Sequence, residues 1–98
     1  MATLYNSMDF SEDSLKKIRD LASKLTPITE ISVLLGMNEI MLRDAVNTPG
    51  NPARKAYFQG YSEVALRIRE RNLELAEAGS PSADEALRSY LKRMMNDL

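Results

Sequence analysis

The chain has no cysteine, no histidine and no tryptophan, and only four glycines and four prolines among its 98 residues. Without cysteine there is no disulfide and no thiolate nucleophile. Without either residue the imidazole base and the usual zinc ligands are also missing. Asp, Glu, Lys, Ser and Tyr remain, but no spacing groups them into a recognisable site. The expectation is therefore a protein that is not an enzyme, with no cofactor, no metal and no small-molecule substrate. No apolar run approaches the ~20 residues of a membrane span. The opening MATLYNSMDF has neither the basic flank nor the apolar core of a secretory signal, which predicts a cytoplasmic location and no membrane partner.

Strand signals are scarce too, since β-branched residues are few and no stretch alternates apolar with polar. The apolar content of 44% and charged content of 28% are ordinary for a globular chain. One small domain, or one with a helical extension, fits this length, and so short a chain buries little surface unless it associates with copies of itself. The net charge of -1 hides an uneven distribution. Residues 1–49 hold 5 basic and 7 acidic side chains, a balance of -2, and residues 50–98 hold 8 and 7, a balance of +1. Nothing here is globally basic, so tight non-specific DNA binding by a monomer is not expected.

Helix signals fill the chain. Ser11 is an N-cap with Glu12 and Asp13 after it, and Phe10 is placed to staple onto Leu15. Leu15, Ile18, Ala22 and Leu25 step by three and four, which predicts a helix over 12–25. Thr26 and Pro27 read as the cap and first residue of a second helix running to Leu35, and Gly36 ends it. Asn38 caps a third helix reaching Val46, and residues 47–51 are a turn. Asn51 and Pro52 open a long fourth helix that ends before Gly79. Ser82 with Glu85 reads as a capping box for a fifth, whose stripe is Ala83, Ala86, Leu87, Tyr90, Leu91, Met94 and Leu98.

The expected fold is all-α: an N-terminal three-helix unit over 1–47, then a long antiparallel helical hairpin over 51–98. Within the first unit, 27–47 has the pattern of a helix-turn-helix. Ser32 is the small residue where the helices cross and Gly36 the turn glycine, with Ile31, Leu35, Met37, Leu42 and Ala45 apolar on the inner face. Any three-helix bundle with a glycine turn gives a similar string. The outward face of the third helix presents Asn38, Glu39, Ile40, Arg43 and Asp44. Arg43 and Asn38 suit contact with base edges or phosphate, although Arg43 also has Glu39 and Asp44 within reach. Lys24, Arg54 and Lys55 are candidates for phosphate contacts, individually weak and useful when several copies act together.

On the fourth helix, Arg67, Arg69 and Arg71, with Glu70 and Glu74 interleaved, point to different sides, a poor DNA stripe but a fair surface for subunit packing. Val64, Leu66, Ile68, Leu73, Leu75, Tyr90 and Met94 are the candidate oligomer contacts. Leu66 and Leu73 lie off the main stripe, where one hairpin alone does not cover them.

Ala56-Tyr57-Phe58-Gln59-Gly60, the Arg-bearing helix after it, and Leu75-Ala76-Glu77-Ala78-Gly79-Ser80 resemble the small terminase subunits of tailed phages. With the upstream helix-turn-helix, the resemblance spans about residues 28–95. It implies a DNA-recognition component of a genome-packaging motor in a phage-infected bacterial cell, with a hairpin that assembles into a ring. ATPase and nuclease activities would belong to a large-subunit partner. The DNA role would fall on Asn38, Glu39, Ile40 and Arg43, and the ring-forming role on the last two helices. Two features depart from the pattern: the chain reads as shortened after the fifth helix, and the recognition helix is acidic. The residues also allow a dimeric helix-turn-helix transcriptional regulator, or a helical protein-interaction module that does not touch DNA.

Overall fold

The structure, a computed structural model, describes residues 10–98; the expectation for the N-terminal signal segment lies outside them. Among the described residues it is all helical, with α1 Glu12–Ala22, α2 Ile28–Leu35, α3 Glu39–Val46, α4 Pro52–Glu77 and α5 Pro81–Asn96. The chain divides into an N-terminal unit ending at Val64 and a C-terminal unit, Ala65–Leu98. The first unit extends past the turn at 47–51 because the opening of α4 packs into its core.

Local chemistry accounts for most helix ends. Ser11 Oγ accepts the Ser14 N–H at 3.1 Å to open α1, and Asn38 Oδ1 accepts the Met41 N–H at 3.0 Å to open α3. Asn51 Oδ1 takes the Ala53 N–H at 2.8 Å at the head of α4. Gly36 ends α2 in the left-handed region, with φ 65°, where a Cβ costs about 1–2 kcal/mol.

Three expected ends are corrected. α1 stops at Ala22, three residues short of Leu25. The Thr26 N–H returns to the Leu21 carbonyl and the Leu25 N–H to Ala22, closing the helix end while Leu25 itself turns left-handed at φ 66°. Thr26 is thereby used as a backbone donor, and Pro27, which has no side-chain cap bond, occupies the N-cap of α2. At α5 the cap is Ser80, whose Oγ accepts the Ala83 N–H at 3.3 Å. Pro81, with φ preset and no N–H to lose, takes the first helical position and leaves Ser82 already inside the helix.

Leu25 is a leucine doing what glycine does more easily, and it is 66% exposed. Leu25→Gly is expected to stabilise the protein by about 0.5–1 kcal/mol, because relief of the left-handed Cβ exceeds the added unfolded-state entropy. The urea midpoint is the measure; a lower midpoint would mean that the exposed side chain makes a stabilising contact.

The core of the N-terminal unit is Phe10, Ile18, Ile31, Leu42, Ala45, Val46, Ala53 and Ala56. Leu15 packs, partly buried, against this cluster, of which Phe10 is a member. Gly60 sits where α4 crosses α1: a Cβ there would collide with the Arg19 carbonyl oxygen and stand 2.9 Å from the Ala22 Cβ. An ion pair of Arg19 with Glu63, which includes a 3.0 Å Nε–Oε1 bond, joins the same two helices.

In the C-terminal unit the chain turns at residues 78–80, with Gly79 at φ 95°. Asn72 Nδ2 donates to the Tyr90 hydroxyl at 3.3 Å, so the end of α4 lies beside α5. Ala83 is buried and Ala86, Leu87 and Tyr90 are half-buried, whereas Leu91, Met94 and Leu98 of the same stripe are exposed.

Candidate nucleic-acid interface

α2 and α3 meet through the residues read as an inner face. Ile31, Leu42 and Ala45 are buried, and Leu35 and Met37 pack on the cluster half-buried. Ser32 is only 3% exposed, and its hydroxyl donates to the Thr29 carbonyl at 2.7 Å, so a polar group sits in the crossing without being orphaned. Among the described residues no buried side-chain nitrogen or oxygen lacks a partner.

The outward face of α3 holds Asn38, Glu39, Ile40, Arg43 and Asp44, all exposed. Arg43 Nη2 donates to Glu39 Oε2 at 3.0 Å and to Thr29 Oγ1 at 3.2 Å, which bridges α3 to the start of α2. An exposed pair one helical turn apart is worth only about 0.3–0.5 kcal/mol, so it holds Arg43 loosely. Asn38 spends its carbonyl oxygen on the cap bond. Ile40 stands 79% exposed between these polar neighbours.

The three candidate phosphate contacts differ in their commitments. Lys24 pairs with Asp20 at 3.0 Å, near the end of α1. Arg54 is the most occupied: Nη1 donates to the Val46 carbonyl at 2.8 Å, and the guanidinium lies 4.8 Å from the Phe58 ring centre. A cation on the last carbonyls of α3 opposes the negative end of that helix, so Arg54 also serves as its C-terminal closure. Lys55 is exposed and has no side-chain partner among the described residues. The structure thus gathers Asn38, Glu39, Ile40 and Arg43 on one helix and joins Arg54 to its far end.

Of the candidate oligomer contacts, Val64 is buried within its own chain and Tyr90 is half-buried against Asn72. Leu66, Ile68, Leu73, Leu75 and Met94 are all exposed large apolar side chains. Sequence reading did not single out Thr29 as a partner for Arg43, nor the exposed Val33 and Leu34 on α2. Their signal was present: both apolar residues fall off the inner stripe that Ile31 and Leu35 define.

Comparison with known protein families, characterised proteins and solved structures returns no match. The chemistry must be read from the chain itself. Among the described residues no group of three or more His, Cys, Asp or Glu could hold a metal ion. Nor is any described helix long and apolar enough to cross a membrane. The described surface carries a polar helix face with one loosely held arginine, together with exposed large apolar side chains.

Proposed function

We propose that this chain is a non-catalytic, DNA-binding oligomer of the small-terminase type. In this reading α2, the Gly36 turn and α3 form a helix-turn-helix, and the end of α4 with α5 forms the hairpin through which copies associate. One observation carries it: the buried Ser32 crossing and left-handed Gly36 stand behind an α3 whose opposite face is open to solvent. That combination is what a helix entering the major groove requires. Arg43 reaches a base or phosphate by exchanging its weak bond to Glu39, and Lys55 adds a backbone contact. The acidic neighbours keep single-copy affinity low, and several copies held together raise it through effective concentration. A large terminase subunit is the expected further partner, and the bacterial cytoplasm the expected location.

The test is fluorescence anisotropy with duplex DNA at about 50 and 200 mM salt, where phosphate contacts make log affinity fall linearly with log salt. Arg43→Ala is expected to weaken binding roughly 5–100-fold if it reads a base edge. Unchanged affinity would remove α3 as the reader.

A second reading has its own observation. Lys24, Arg43 and Arg54 are all engaged within the chain, while Val33, Leu34 and Ile40 are exposed around the same turn. That pattern suits a protein-interaction module, and an absence of DNA binding at low salt would select it. Solution mass separates a ring from the dimer expected of a transcriptional regulator.

A further inference from the structure

The second half of α4 has two faces with different partners. Ile68, Asn72 and Leu75 follow one another at helical spacing on the side that touches α5 through Tyr90. Leu66 and Leu73, seven residues apart, share the opposite side, and they are 54% and 48% exposed. Between them on that side stand Arg69 and Glu70, both exposed. The order is leucine, arginine, glutamate, leucine, with spacings of three, one and three. Reversed, it keeps its spacing and its leucines while its charges change sign.

Charge along the hairpin is uneven as well. The stretch nearest the turn, residues 73–86, carries Glu74, Glu77, Asp84 and Glu85 and no cation, a balance of -4. The flanking stretches, 65–72 and 87–98, carry six cations against Glu70 and Asp97, a balance of +4. The hairpin therefore has an acidic tip and a basic base.

We propose that two copies of this chain pair antiparallel across the outer face of α4, about a two-fold axis passing between Arg69 and Glu70. Leu66 then packs on the partner's Leu73, and Arg69 meets the partner's Glu70, each contact occurring twice. A parallel, in-register pair would instead set Arg69 against the partner's Arg69 and Glu70 against the partner's Glu70. The proposal rests on the self-association inferred above and adds its orientation, which differs from a ring of parallel hairpins. Two leucines with the aliphatic stems beside them make a small seam, so the expected association is weak and concentration-dependent.

Because the chain has no cysteine, single cysteines report the pairing cleanly. Full-length Leu66→Cys and Leu73→Cys are oxidised separately and as an equal mixture. Disulfide dimers are expected in the mixture and not from either variant alone. Dimers from each variant alone, or none in the mixture, overturn the proposal. In sedimentation equilibrium, Arg69→Glu is expected to weaken association roughly tenfold, and the Arg69→Glu/Glu70→Arg double variant to return it to within about threefold of the parent. A single and a double variant that both associate like the parent also overturn it. A mass above the monomer without the 66–73 disulfide rejects this orientation and leaves the oligomer standing, and DNA anisotropy reports separately on the N-terminal unit.

Discussion

Gly60→Ala is expected to destabilise the N-terminal unit by about 3 kcal/mol, enough to use up a large part of the stability of so small a domain. The direction runs against helix propensity, by which alanine gains about 1 kcal/mol over glycine in a helix interior. Here the added methyl meets the Arg19 carbonyl and the Ala22 side chain, which belong to helix backbone and core and have little room to yield. α4 must then move off α1, breaking the Arg19–Glu63 ion pair with it. Urea titration followed by circular dichroism measures the shift; a midpoint equal to or above that of the parent would falsify the close approach of the two helices.

Leu42→Ala is the second large effect, with an expected loss of about 3 kcal/mol from lost burial and the cavity left behind. Leu42 is fully buried on the inner side of α3 and belongs to the one core that holds α3 in place. The loss should lower the urea midpoint without changing the slope, since the surface exposed on unfolding is nearly unchanged. The same variant tests the functional reading from behind. If α3 presents the DNA-contact face, weakening its seat lowers DNA affinity even though Leu42 never reaches solvent. Ala53→Gly, at a buried position on α4 in the same core, is a comparison that weakens the core without altering a residue of α3.

The sequence announces those parts of the fold that depend on a few adjacent residues. Ser11, Asn38 and Asn51 cap the helices they precede because a short polar side chain beside a free N–H needs no tertiary help. The inner stripe from Ile31 to Ala45 was legible for a related reason, as helical spacing alone sets which side chains share a face. The end of α1 was hidden, since a leucine at positive φ carries none of the glycine signal that marks Gly36. Ser80 and Ser82 both flank Pro81 as plausible caps, and only the preference of proline for the first helical position separates them. Gly60 reads as a poor helix former until the helix it touches is known, because the need for a missing Cβ arises 41 residues away in sequence, at Arg19.

The candidate interface divides along the same line. That Arg43 meets Glu39 follows from their spacing of four, but its bond to Thr29 requires the crossing of α2 and α3. Arg54 stood among the phosphate candidates because it is a cation near the turn. The structure shows it bonded to the Val46 carbonyl at the end of α3, a contact that depends on how α4 begins. Residues whose roles are set by spacing could be read in advance, and those whose roles are set by a neighbouring helix could not.

The link between α1 and α4 also bears on the order of folding. Arg19 and Glu63 are 44 residues apart in sequence, whereas α2 and α3 touch across a turn of three residues. Closing the longer loop costs more chain entropy before any contact repays it. The nucleus is therefore expected among α2, α3 and their turn, with α4 docking on α1 afterwards. Position 60 then governs how long the native state lasts more than how fast it forms: a methyl there shortens the lifetime of the folded unit and leaves its rate of formation nearly unchanged.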